Sequence, residues 1–266
     1  MKYKSTANRW LILPKPNPTA AMRLFCLPYA GGSPLIFGNW PSALPENVEV
    51  CAIQLPGRGM RLSEPPFTRL EPLIESLTAR LEPFLDKPFA LFGHSMGGLI
   101  GFEFTRALRR RFGLDALGLF ISGRQAPPIP DRTPARYDLP EPEFTEEIRR
   151  LNGTPPEILA HPELMRLLVP LLRAEFELCQ TYVYEPGQPL DCPISVFGGV
   201  KDDDVSYEEL EGWRSQTTGA FSLRMVPGDH FFIQTSQAQL LAMISEDLKQ
   251  QLKKLHESEY VRQATP

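Results

Sequence analysis

Phe92-Gly93-His94-Ser95-Met96-Gly97-Gly98 sets a serine between two glycines, directly after the apolar run Phe89-Ala90-Leu91 and before a helix-like stretch. A sharp strand-to-helix turn of this kind lifts a serine hydroxyl clear of the backbone, where it can attack a carbonyl. The hydroxyl is a weak nucleophile alone, so it needs a base beside it and donors for the developing oxyanion. Gly93 and Gly97 permit the turn. The plain alternative for a G-x-S-x-G string is a tight turn carrying a solvated serine.

The chain has four histidines, so the search for a base is short. His94 lies inside the turn itself, where the expected geometry points it away from the reacting side. His161 falls in a long irregular region and His256 in a polar tail. His230 follows a strand in the loop Pro227-Gly228-Asp229-His230 and precedes a helix, which places it at the same carboxyl edge of a parallel sheet as Ser95. In hydrolases built on such a turn the acid lies between serine and histidine in chain order. The loop Gly198-Gly199-Val200-Lys201-Asp202-Asp203-Asp204 offers three aspartates there. Asp202 is preferred as the earliest after its strand; Asp203 and Asp204 suit the positive end of the helix that Ser206 caps. Position alone leaves these two open, and Asp229 is a rival only by adjacency. The Met96 amide, next after the serine, is the expected first oxyanion donor. The second comes from the loop Pro28-Tyr29-Ala30-Gly31-Gly32-Ser33, with Ala30 preferred and Tyr29 as the fallback.

These residues need a sheet to hold them. Short apolar runs bounded by proline or glycine predict strands at 22–28, 48–55, 89–93, 117–122, 193–198 and 221–226. Helical spacing occupies 70–85, the stretch from 100 to Arg109-Arg110-Arg111 before Gly113, and 232–252, with a capping-box helix from Ser206 through Trp213. The three arginines fit the negative end of their helix and face water. Alternation of strands and helices predicts one α/β domain over 1–266, its mostly parallel central sheet flanked by helices. Residues 123–192 are too long for an ordinary connection. They carry six prolines between 127 and 142, a helix near 144–151, and helical spacing over 162–183 in which Pro170 is expected to start a new helix. This insertion is expected to be a lid or substrate-pocket subdomain. Its Leu164, Leu167, Leu168, Leu171, Leu172 and Phe176 are expected mostly to pack internally. The tail from about 256 to 266 is polar and expected to fray.

A chain of 266 residues, 42% hydrophobic and 23% charged, can bury a large core. Its net charge of −4 argues against a nucleic-acid partner. No apolar run reaches transmembrane length, and prolines 14, 16 and 18 interrupt any leader-like core behind Lys2 and Lys4. The four cysteines lack metal-site spacing and fit reduced, buried thiols of a cytoplasmic protein.

The series LPYAGGS, LPGRG at 55–59, FGHSMGG at 92–98, LNGTPPEIL at 151–159, LLRAEFELCQTYVY at 171–184, CPISVFGGVKD at 192–202 and GDHFF at 228–232 resembles the type II thioesterases of polyketide and nonribosomal peptide assembly lines. The resemblance spans about residues 20–250 in unbroken motif order. It implies an α/β-hydrolase fold with a helical lid and supports Ser95, Asp202 and His230 together. It also implies removal of stalled or wrongly primed acyl groups from phosphopantetheinyl acyl- or peptidyl-carrier domains, by a monomer that needs no metal or cofactor of its own, the phosphopantetheine belonging to the substrate protein. Two positions depart from the usual family pattern: Glu175 replaces an aspartate in the lid segment, and Asp203 replaces a proline after the acid. The alternatives are a general carboxylesterase or acyltransferase of small molecules, and a noncatalytic module that binds carrier proteins.

Overall fold

The computed structural model describes the backbone of residues 9–131 and 134–264 and side chains as far as residue 257. Six runs form parallel strands: β2 (Met22–Leu27), β3 (Val48–Ile53), β4 (Phe89–His94), β5 (Leu119–Ser122), β6 (Ile194–Gly199) and β7 (Phe221–Val226). A two-residue strand, β1 (Leu11–Ile12), pairs antiparallel with β3 at one edge, and the order is β1-β3-β2-β4-β5-β6-β7. The mostly parallel sheet expected from the sequence is present. β1 is an addition, too short to leave a pattern.

The central strands read as nearly continuous apolar runs because both faces are covered, with Arg23 and Glu49 paired to each other where they interrupt β2 and β3. Phe25, Leu27, Cys51, Ile53 and Leu91 face one layer, which holds helices α1 (Leu70–Leu81) and α2 (Met96–Phe112) together with Trp213. Leu24, Cys26, Val50, Ala52 and Phe92 face the opposite layer, built from Phe37, Trp40 and Leu240 to Leu252. Helix α2 stops at Gly113, whose left-handed backbone (φ 64°) lets its amide bond the Arg109 carbonyl at 2.9 Å. Arg109 does not merely face water: it bonds Asp115, Asp191 and the Pro189 carbonyl, tying the helix end to the segment before β6.

Between β5 and β6 the chain forms α3 (Glu141–Leu151), α4 (Pro156–Leu159) and α5 (Pro162–Gln180), which share a small core of Phe144, Ile148, Met165, Val169 and Leu172. Two expectations change here. Helix α5 runs straight through Pro170 rather than restarting there. The ring removes one backbone donor, and burial of Leu171 and Leu172 beside it and of Leu178 two turns on offsets the loss. Leu164 and Leu167 are 43% and 59% exposed rather than packed, because they lie on the outer face of that helix.

Downstream of β6, α6 (Tyr207–Glu211) opens on the expected capping box of Ser206 and Glu209. The last helical region divides into α7 (Phe232–Thr235) and α8 (Gln237–Ala264) around Ser236, whose hydroxyl bonds the Pro227 carbonyl at 2.6 Å. Backbone helix continues to Ala264, beyond the expected end near Leu252. Side chains from 258 on, the last two residues, and Lys2 and Lys4 lie outside the described residues. No helix among the described residues is long and apolar enough to cross a membrane.

Trp213 shows how the sheet layer reaches the loops. It is fully buried, stands edge-on to Phe102 at 5.2 Å, and donates its indole N–H to the Arg124 carbonyl at 2.7 Å, just beyond β5. Trp213→Ala is expected to lower the unfolding free energy by about 3–5 kcal/mol. Urea denaturation followed by circular dichroism measures this, and a midpoint unchanged from the parent protein would show that the site collapses without loss.

Candidate active site

The strand order turns outward in both directions from the β2–β4 pair, so a crevice opens beyond their carboxyl ends. Ser95 follows β4 at that point with φ 54° and ψ −116°, one of two non-glycine residues with positive φ among those described. A conformation this unfavourable persists only where its surroundings enforce it. A Cβ on Gly93 would lie 2.0 Å from the Gly97 carbonyl oxygen, and one on Gly97 would lie 2.2 Å from the Leu27 carbonyl oxygen. Strand, turn and helix therefore touch at backbone distance. The Ser95 amide donates to the Ser122 carbonyl at 2.7 Å, which pins the turn to β5.

Two further loops converge on the same edge. From the loop after β7, His230 brings Nε2 to 3.0 Å from the Ser95 hydroxyl oxygen. Its Nδ1 lies 2.8 Å from Asp202 Oδ2, on the loop after β6. The Asp202 side chain is fully buried, and its other oxygen accepts the Asp204 and Val205 amides at 2.9 and 3.2 Å. One oxygen is held by backbone and the other faces the imidazole, so the carboxylate has little freedom to turn. The two loops are laced by the Lys201 amide, which donates to the Gly228 carbonyl at 2.9 Å.

The other candidates resolve by their partners. Asp229 accepts from the Phe231 amide and the Asn152 side chain, away from the imidazole. Asp203 is exposed. Asp204 does not serve the α6 terminus as expected: it pairs with Arg150 at 2.8 Å and Arg136 at 3.1 Å, joining this loop to α3. Burial works against its charge, but the two guanidinium groups hold the Asp204 carboxyl below its usual range. His161 and His256 are exposed. Ala30 and Met96 line one cavity with Ser95 and His230, and Ile148, Leu172, Phe176 and Phe231 supply its apolar wall. Tyr29, the fallback, also borders the cavity. Its hydroxyl accepts from Gln234 at 2.6 Å.

Three features went unseen in the sequence. Glu175, which the sequence marks only as a departure from an expected aspartate, is buried and accepts the Gly31 amide at 2.7 Å while pairing with Arg58 of the LPGRG motif, a partnership that neither segment announces. The Arg58 guanidinium also donates to the Gly32 carbonyl. His94 does not point away from the site: its ring centroid lies 5.3 Å from that of His230. Its Nδ1 is 2.8 Å from the Ser122 hydroxyl, and its Nε2 faces the His230 backbone without completing a hydrogen bond. The cysteines stay thiols. Burial raises all four, Cys192 to about 12, and Cys179, which borders the cavity, shares that fate. Among the described residues no group of His, Cys, Asp and Glu could hold a metal ion.

Burial first, and then the neighbouring His230, push the His94 pKa well below the ordinary histidine value. An unfolded chain takes up a proton near pH 6.5 that the folded chain refuses. The stability this represents is complete above about pH 6.5 and is lost progressively as the pH falls towards the folded-state pKa, at up to about 1.4 kcal/mol per pH unit. Between pH 7 and 5 the parent protein is expected to lose more unfolding free energy than His94→Gln, by up to about 2 kcal/mol. Equal losses in paired urea titrations would mean that His94 is protonated in the fold.

Comparison with known proteins places these features in a family. The model of the thioesterase domain family matches residues 22–248. The gramicidin S biosynthesis protein GrsT of Aneurinibacillus migulanus is 43% identical over 249 residues, covering 94% of this chain and 97% of the relative. Among solved structures, the RedJ thioesterase from the prodiginine biosynthetic pathway in Streptomyces coelicolor superposes with a TM-score of 0.81 at 39% identity, over 86% of each chain. The type II thioesterase BorB from the borrelidin biosynthetic cluster gives 0.82 at 34% identity, over 90% of this chain and 97% of its own.

Proposed function

We propose that this chain, which belongs to the thioesterase family, hydrolyses acyl thioesters held on the phosphopantetheine arm of acyl- or peptidyl-carrier domains. It would thereby clear stalled or wrongly primed acyl groups from polyketide or nonribosomal peptide assembly lines, acting in the cytoplasm as a monomer. Its α/β-hydrolase fold is the one shared with RedJ and BorB. The observation that carries the chemistry is the unbroken contact from Asp202 through His230 to the Ser95 hydroxyl, 2.8 and 3.0 Å, at the floor of a largely apolar cavity. The carrier-bound substrate is supported by the biosynthetic relatives, GrsT among them.

In the proposed mechanism His230 Nε2 takes the Ser95 proton as the hydroxyl oxygen attacks the thioester carbon. Asp202 holds the ring in the tautomer that can accept this proton and stabilises the imidazolium. The carbonyl oxygen becomes an oxyanion against the Met96 and Ala30 amides. Collapse breaks the carbon–sulfur bond, and His230 returns the proton to the departing pantetheine thiolate. Water, deprotonated by His230, then attacks the Ser95 ester. A free acid and a free carrier thiol leave, and the serine is restored. All of these steps use groups of the chain or of its substrate, so no cofactor is invoked. The 123–192 insertion is proposed as the lid, its α3 and α5 residues forming the acyl wall.

Intact-mass measurement of acylated carriers after incubation tests the reading. Ser95→Ala is expected to lower turnover at least about 10⁴-fold, since such residues act as a unit. Asp202→Asn is expected to cost on the order of 10⁴ by fixing the wrong tautomer. Near-normal hydrolysis by a folded Ser95→Ala protein would reject the assignment. Faster turnover of small oxygen esters than of carrier thioesters would favour a general carboxylesterase instead.

A further inference from the structure

Arg58 and Glu175 place opposite charges in the interior, their side chains 5% and 4% exposed. Removing two ions from water is costly, and volume-matched apolar residues often do as well for stability alone. What an apolar pair could not do is bond the backbone between β2 and the following turn. Glu175 Oε2 accepts the Gly31 amide, and Arg58 donates to the Gly32 carbonyl. Helix α5 also presses on this loop sterically: Gly31 has φ 76°, and a Cβ there would lie 2.7 Å from Leu172 Cδ2. The Gly32 amide closes the turn onto the Tyr29 carbonyl at 2.9 Å. Ala30 sits inside this turn, on the cavity wall with Ser95 and Met96.

We propose that the Arg58–Glu175 pair is a positioning device, through which helix α5 fixes the 29–32 loop so that the Ala30 amide meets the oxyanion. Neither residue lines the cavity that holds Ser95 and His230, and neither takes part in the Ser95–His230–Asp202 contacts. The effect of the pair is therefore confined to the transition state, where the oxyanion exists, and it couples docking of the α5 helix to formation of the second donor. The inference rests on hydrolysis at Ser95 as proposed above.

Glu175→Gln keeps the size of the side chain but leaves Arg58 without its counter-charge. Hydrolysis of an acylated carrier by this variant is expected to show kcat reduced about 10- to 100-fold, below or near the loss from deleting an oxyanion donor outright. KM stays within about twofold, and the pH profile of kcat/KM keeps its midpoints. The rate of Ser95 labelling by a fluorophosphonate, whose phosphoryl oxygen uses the same donors, falls in parallel. The double variant Arg58→Met/Glu175→Leu removes both charges. Its melting temperature is expected to match or exceed that of Glu175→Gln while kcat stays low, because the Gly31 amide and the Gly32 carbonyl then both lose their side-chain partners. Wild-type kcat in either variant, or a loss confined to KM, overturns the inference. If the parent protein labels with fluorophosphonate but leaves carriers acylated, the carrier-hydrolysis function fails while the comparison of labelling rates still decides the role of the pair.

Discussion

Ser95 can hold φ 54° only because backbone meets backbone on both sides of it. With β4 feeding the turn and α2 leaving it, the Gly97 carbonyl occupies the space a side chain at 93 would need, and the Leu27 carbonyl does the same at 97. The strain is balanced by what surrounds it: a sheet covered on both faces, α2 buried along its inner stripe, and the Ser95 amide bonded to β5. Because that turn is fixed, the hydroxyl emerges beside the loop after β2, and the remaining site groups need only reach one point from neighbouring strand ends.

They reach it on loops, and loops are the mobile parts of a fold. Each is therefore tied to something stiffer. The Asp202 loop is bonded to the His230 loop through Lys201 and Gly228, and through Asp204 to Arg150 of α3 and to Arg136 in the segment before it. The His230 loop meets the insertion again where Asn152 donates to Asp229. The 29–32 loop is held by α5 through Glu175, Arg58 and Leu172. So the helices between β5 and β6 touch every loop that carries a proposed catalytic group other than the Ser95 turn itself. The proposed lid therefore shares its contacts with the alignment of the site, and moving those helices would loosen the same bonds.

The sheet and the proposed nucleophile were legible because their signals are local. Apolar runs of strand length with glycine or proline at the ends mark a buried parallel sheet, and glycines two residues either side of a serine mark the turn. Asp202 was legible only in part: three adjacent aspartates look alike until each one's partners are known, and the Arg136 and Arg150 that claim Asp204 lie more than fifty residues upstream. Pro170 misled because a helix-breaking residue was judged by local cost, whereas α5 is held by tertiary packing on Leu171, Leu172 and Leu178. The exposed faces at Leu164 and Leu167 misled in the reverse sense, since leucine content alone does not say which side of a helix is covered. Arg58 is visible in the sequence only as one letter of the LPGRG motif, with no sign of its role. A single arginine in a proline- and glycine-rich loop does not reveal its partner until a carboxylate 117 positions later is found buried against it.

His94 shows a further constraint that spacing cannot express. Two imidazoles with centroids 5.3 Å apart could compete for one proton, and a second positive charge behind His230 would oppose formation of the imidazolium that the proposed mechanism requires. The fold avoids the conflict by environment rather than by residue type. His94 is sealed between Tyr29, Phe231 and Phe232 with its Nδ1 on the Ser122 hydroxyl, so burial keeps it neutral. His230 has Asp202 as its counter-charge and an open side toward the cavity. The same ring thus serves as packing at 94 and as the proposed proton carrier at 230, and the difference lies in which of them was given a carboxylate.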